Sequence, residues 1–180
     1  MTPDLTRLTE PLPLPSTGGQ TLAWDTAETT LRTTLPTDYK ELIAAYGGGL
    51  IDNYLLLLEP GCPNDVYDQL KISAEREEAN DSLWQYDDKP AEMETAGNRL
   101  VCWATTDNGE YLYWLVQPGD DPDSRPVLIN SDSDWERHDM TATRFLASVL
   151  AGDITSEALW SQFPQPQHEF RPAREMQPPE

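Results

Sequence analysis

The clearest pattern of apolar and polar positions runs from Leu35 to Pro60, LPTDYKELIAAYGGGLIDNYLLLLEP. Tyr39, Leu42, Ile43 and Tyr46 recur at i, i+3, i+4 and i+7 and so share one face of a helix, while Asp38, Lys40 and Glu41 fall mostly on the other. Pro36 suits the first turn of that helix, where an amide has no partner and the ring pre-sets φ. Gly47, Gly48 and Gly49 offer the positive φ values that a left-handed cap and an abrupt reversal need. Leu50 to Leu58, interrupted by Asp52, Asn53 and Tyr54, then reads as a buried strand, too short to span a bilayer. The glycines are not read as a phosphate cradle, because no Lys-Ser/Thr follows and the order of helix, glycines and strand is the reverse of a P-loop.

The flanking segments alternate in the same way. Asp25 and Glu28 have the spacing of a capping box, which predicts a short helix to about Thr33 with Trp24, Ala27 and Leu31 inward. Asn64 is placed to cap a helix with a stripe of Val66, Tyr67, Leu70 and Ala74 and an outer face of Glu75, Arg76, Glu77 and Glu78. Residues 81–98 read only as a helix end and a loop. Leu100 to Ala104 and Tyr111 to Val116 are β-rich runs around Asp107-Asn108-Gly109, a hairpin signal, and Pro126 to Ile129 completes an antiparallel meander. Thr141 or Thr143 caps a helix burying Phe145, Leu146, Val149 and Leu150 and ending at Gly152. A shorter helix from Thr155 or Ser156 carries Leu159, Trp160 and Phe163. The proline-rich ends, residues 1–20 and 164–180, read as a flexible arm and a disordered tail around one α+β domain, residues 21–163, with a mostly antiparallel sheet and helices packed against it.

The matching residues Leu35, Pro36, Asp38, Tyr39, Lys40, Tyr46, Gly47, Gly49 and Pro60 resemble the core motif of the SUKH superfamily, which includes the yeast cell-wall-synthesis regulator and bacterial immunity proteins. The resemblance extends from about Leu22 to Phe163, through Trp103 to Trp114, Pro126-Val127 and Leu150-Ala151-Gly152. It implies a non-catalytic protein-binding domain, and within the superfamily an immunity protein that neutralises a nuclease- or deaminase-type toxin by covering its basic active-site surface. The alternative it implies is a regulatory or scaffold protein like the yeast member, whose partner is a signalling protein.

Charge sharpens that picture. Asp and Glu number 32 against 12 Lys and Arg, a formal net charge of -20, which disfavours nucleic acid and anionic membranes and favours a basic protein partner. Solubility alone also explains such acidity. Charge density picks out two candidate partner-binding groups: Glu75, Glu77, Glu78, Asp87 and Asp88, and Asp120, Asp121, Asp123, Asp132 and Asp134. Trp84 and Trp135, in less regular surroundings than the other tryptophans, are candidate exposed anchors.

Catalytic constellations are missing from the pattern. Asp132 and Asp134 fail as a calcium loop, with Trp135 where glycine is required and Thr141 where a bidentate glutamate is required. Asp120, Asp121 and Asp123 supply too few oxygens for a cation that takes about six to eight. Asp134 with His138 is the one remote pairing for a hydrolase, unaccompanied by any nucleophile motif. His138 and His168 read as surface residues. Cys62 and Cys102, far apart and outside any CxxC, suit a reducing compartment. The first fifteen residues lack the apolar core of a secretory signal, so a cytoplasmic location is expected, with no cofactor and no metal.

Overall fold

The computed structural model describes residues 1–20 and 22–177. Helices α1 (Pro3–Thr9), α2 (Trp24–Leu31) and α3 (Thr37–Tyr46) lead into strands β1 (Gly49–Ile51) and β2 (Leu55–Leu57) and then helix α4 (Gln69–Leu83). Strands β3 (Arg99–Thr106), β4 (Tyr111–Val116), β5 (Val127–Ser131) and β6 (Asp134–His138) follow, then helix α5 (Ala142–Leu150) and β7 (Phe170–Pro172). The seven strands make one sheet in the order β6-β5-β4-β3-β2-β1-β7, every pairing antiparallel. The expected α+β class with helices on a largely meandering sheet is therefore the observed one. Among the described residues no helix is long and apolar enough to cross a membrane.

One face of the sheet carries the main core. Val101, Trp103, Leu112, Trp114, Val127 and Ile129 are buried in one cluster with Leu42 and Ile43 of α3, Phe145 and Leu146 of α5, and Leu5 and Leu8 of α1. The Tyr39 ring meets Trp114 edge-on at 4.9 Å, and its hydroxyl donates to the Leu58 carbonyl at 2.5 Å. Thr141 caps α5 by accepting from Arg144 N (3.3 Å), and Gly152, at φ 77°, follows it.

Local chemistry departs from the expected elements at several points. Leu50 to Leu58 is a hairpin, not one strand: Asp52 and Asn53 both take positive φ, 50° and 55°, at the centre of a tight turn closed by Tyr54 N donating to the Ile51 carbonyl at 3.0 Å, with Ile51 paired to Leu55 across it. Of the three clustered glycines only Gly47 needs its φ of 72°. Gly49 is small because β7 passes over it: a Cβ there would lie 2.5 Å from the Arg171 carbonyl oxygen. Asp38 is buried, not on an outer face, because its carboxylate accepts from Thr143 N (3.0 Å) in the first turn of α5. Ala23, not Asp25, begins α2, and Glu28 accepts from Leu35 N (2.8 Å) and pairs with Lys40 instead of closing a capping box. Residues after Thr155 form turns rather than a helix, although Leu159 and Phe163 are buried as expected. β6 was absent from the expected elements; Asp132, at φ 52°, turns the chain into it.

Both ends belong to the folded body. Leu5, Leu8 and Leu12 are buried, and Tyr46 Oη donates to the Leu12 carbonyl at 2.6 Å, so residues 1–12 of the expected arm pack against the core. Prolines misled there: Pro3 occupies the first turn of α1, where its missing N–H costs nothing. The expected tail supplies β7 and the buried Ala173. Its His168 is an interior residue, with Nδ1 2.7 Å from the Asp52 carboxylate and Nε2 3.1 Å from the Leu150 carbonyl. Gln165 N and Glu169 N also donate to Asp52, which fastens the segment beside the β1–β2 turn. Of the expected disordered tail, residues 178–180 lie outside the described residues.

Candidate functional site

The second face of the sheet is covered by α4, and the residue that starts this helix decides what it presents. Asp68 is its cap, accepting from Leu70 N at 3.0 Å, whereas Asn64 closes a separate turn at Asp65–Tyr67 through Val66 N. The expected stripe of Val66, Tyr67, Leu70 and Ala74 does not form, since Val66 and Ala74 are exposed. The inward row is Gln69, Ile72, Ser73, Arg76 and Asn80, and it is mostly polar.

Hydrogen bonds hold that row. Gln69 Nε2 and Ser73 Oγ donate to the Cys102 carbonyl at 3.1 and 3.2 Å. Arg76 Nε and Asn80 Nδ2 donate to the Tyr113 hydroxyl at 3.3 and 3.4 Å. Burial pushes the Tyr113 phenol up to about 12, so it stays neutral and accepts these bonds. The Arg76 guanidinium also lies 3.9 Å from the centre of the Tyr111 ring, a cation–π contact. From Tyr113 an aromatic row continues to Trp135 (5.8 Å) and on to Trp84 (6.3 Å). The two tryptophans singled out as anchors thus come together, both half-buried.

With polar groups turned inward, the outer row of α4 is free to carry charge. Glu75, Glu77 and Glu78 are exposed on it, and Asp87 and Asp88 are exposed just past its end. Glu77 is gripped by Arg32 at 2.9 and 3.1 Å. Glu75 and Glu78 have no ion-pair partner among the described residues. Sequence reasoning missed Leu83 and Tyr86, which are 47% and 89% exposed and form an apolar knuckle with Trp84, rimmed by Asp81, Asp87 and Asp88. The signal was present as apolar residues set among aspartates after a helix end.

The second acidic group does not assemble. Asp120, Asp121 and Asp123 precede the five-residue β5 and Asp132 and Asp134 follow it, a separation of about 17 Å at the usual rise per residue. The first three are structural. Asp120 takes Arg125 Nε and Nη2 at 2.9 Å each, and Arg125 also donates to the Thr34 carbonyl, tying the loop to the α2–α3 link. Burial raises the Asp120 carboxyl, but the bonds from Arg125 and Gln117 N–H outweigh it and leave it below the usual carboxylate range. Asp121 accepts from Asp123 N, and Asp123 accepts from Thr37 N at 2.7 Å at the start of α3. Asp132 and Asp134 remain exposed at the β5–β6 turn.

Asp134 and His138 sit at opposite ends of β6, about 13 Å apart along an extended strand, so the remote hydrolase pairing has no geometry. His138 is no open surface residue either: its ring lies 4.9 Å from that of Phe145. Cys62 and Cys102 are buried free thiols, pushed up to about 11 and about 12 by burial. The arrangement presents a charged, aromatic-edged surface.

Comparison with known proteins identifies a family. Residues 22–146 match the family model SUKH_6, described as SMI1-KNR4 cell-wall, a span that includes α2 to α4, the meander and the start of α5. No curated protein and no solved structure matches the chain.

Proposed function

The chain belongs to the SMI1-KNR4 cell-wall family of the SUKH superfamily, and from that footing we propose that it is a non-catalytic protein-binding domain acting as an immunity protein. Its partner is a basic nuclease- or deaminase-type toxin domain, neutralised by covering its nucleic-acid cleft. The observation that carries this reading is the division of α4. A hydrogen-bonded inward row fixes the helix, and an outward row in which Glu75 and Glu78 are unpaired among the described residues leads to the exposed Leu83 and Tyr86 beside the half-buried Trp84. A net charge of -20 steers a cationic partner toward such a surface and raises the association rate. Aromatic side chains at its end supply the desolvated contacts that hold complexes together.

The test is co-expression with a basic toxin domain from any reading frame found beside this chain's own. Charge reversal at Glu75, Glu78, Asp87 and Asp88 is expected to abolish growth protection, whereas reversal at Asp132 and Asp134 weakens it less. Protection that survives the α4 reversal contradicts the proposed face. The cell-wall description of the family favours a second reading, a regulatory scaffold. Capture of a signalling protein by the same face, with no protection from any neighbouring toxin, would select it.

A further inference from the structure

β6 is one of the two edge strands of the sheet, opposite the three-residue β7, and the register decides which of its peptide groups are open. Leu115 N donates to the Pro126 carbonyl at 3.2 Å, so even-numbered residues of β5 turn their peptide groups toward β4 and Val127, Ile129 and Ser131 turn theirs toward β6. Their partners on β6 are His138, Glu136 and Asp134. Trp135 and Arg137 therefore aim N–H and C=O outward, and neither finds a backbone partner there among the described residues.

A cleft of about 390 Å³ lies beside this edge, lined by Ser131, Asp134, Trp135, Glu136, Glu157 and Ala158. Trp135 and Glu136 are consecutive in a strand, so their side chains leave on opposite faces, and a cleft touching both runs along the edge itself. Glu136 would be the guarding charge that often blunts such an edge, but it is already committed. Its carboxylate accepts from Ser156 Oγ and from Glu157 N (3.0 Å) and lies 3.3 Å from His138 Nε2, bracing the far wall of the cleft.

We propose that the β6 edge takes up an extended, basic segment of a protein partner as an added strand, bonded to the open peptide groups of Trp135 and Arg137. Charge selects the occupant. Asp134 and Glu157 are exposed in the cleft, and Arg137 is neutralised by Glu92 (3.3 Å) and Asp139 (2.8 Å). A second copy of a chain with net charge -20 would be repelled. Trp135 adds a ring on which a lysine or arginine of the added strand can lie. The inference deepens the docking reading and rests on it only for the sign of the partner's charge.

Amide hydrogen exchange, followed by NMR on the full chain, tests this with three peptides. They are an alternating Lys-Val octapeptide, the same peptide N-methylated at every amide, and octalysine. The alternating peptide is expected to slow exchange at Trp135 and Arg137 by about tenfold or more, and the other two by less than about twofold, because N-methylation removes the amides a ladder needs and the mutually repelling lysines of octalysine, with no β-branched residue between them, disfavour an extended strand. Arg137→Pro removes an outward N–H that pairs with nothing, a replacement edge strands tolerate, and is expected to abolish the effect. If that variant does not fold, the three peptides on the unaltered chain decide. Equal slowing by octalysine or by the N-methylated peptide overturns the proposal, as does no slowing at millimolar alternating peptide. Charge reversal at Glu75, Glu78, Asp87 and Asp88 is expected to leave strand uptake intact, so protection from the toxin that persists in that variant would sink the α4 reading alone.

Discussion

The two faces of the sheet are covered by different physics. On the core face, α1, α3 and α5 are held by buried apolar area, with Phe145, Leu146, Leu42 and Ile43 against Trp103 and Trp114. On the second face, α4 is held by donors aimed at two acceptors, the Cys102 carbonyl and the Tyr113 hydroxyl. Apolar burial fixes a fold but yields no outward specificity. Directional bonds fix a helix while using few of its side chains, which leaves the outer row of α4 open to charge.

The most drastic way to break this contrast is to remove residues 1–12. Leu5, Leu8 and Leu12 are fully buried, and at about 2 kcal/mol each their loss is comparable to a typical total stability of about 5–15 kcal/mol. The truncated chain is expected to lose its near-ultraviolet circular dichroism and cooperative unfolding. A truncated chain with an unchanged denaturation midpoint would show that the core face does not need α1. Next in size, Phe145→Ala is expected to cost about 3–5 kcal/mol in urea unfolding, whereas Gln69→Ala on the second face costs about 1 kcal/mol, because Ser73 still serves the same carbonyl. Equal costs would erase the distinction between the faces.

Acid sharpens the comparison at a third place, the loop before β5. The Asp120 carboxyl is held below its usual range in the folded chain, so its contribution is present above the unfolded value and is lost as pH falls through the folded one. Asp120→Asn is therefore expected to lower stability near neutral pH and to flatten the acid limb of the stability profile. An acid limb unchanged in slope would show that the Arg125 pair contributes nothing. The smallest effect is expected on α4 itself: Glu75→Lys and Glu78→Lys should each shift stability by no more than about 0.5 kcal/mol.

The same division explains what the sequence revealed. Helix α3, the β3–β4 hairpin and α5 were legible because apolar period and turn residues agree there. The α4 register was not, because Gln69, Ser73, Arg76 and Asn80 make a buried row with no apolar period, and the eye settles on Val66 and Ala74 instead. The ends were misread because prolines outweighed the spacing of Leu5, Leu8 and Leu12, and because β7 is fastened by partners far away in sequence, Asp52 and Gly49. Asp52-Asn53 between leucine runs was a readable reversal that the long apolar stretch concealed. Of the candidate site, the sequence singled out the α4 carboxylates by charge density and Trp84 and Trp135 separately; the approach of the two rings beside α4 comes only from the fold. The capping and ion-pairing duties of Asp120, Asp121 and Asp123 depend on Arg125 and Thr37, which only the fold brings near.

The central claim is that the outward row of α4 draws in a basic partner, and the association rate with the cognate toxin domain, measured against ionic strength, tests it most directly. The unaltered chain is expected to associate rapidly at low salt and to slow steeply as salt rises. Reversing Glu75, Glu78, Asp87 and Asp88 to lysine should lower the low-salt rate by about 10- to 100-fold and flatten that dependence. Two curves that coincide across the salt range would contradict the account.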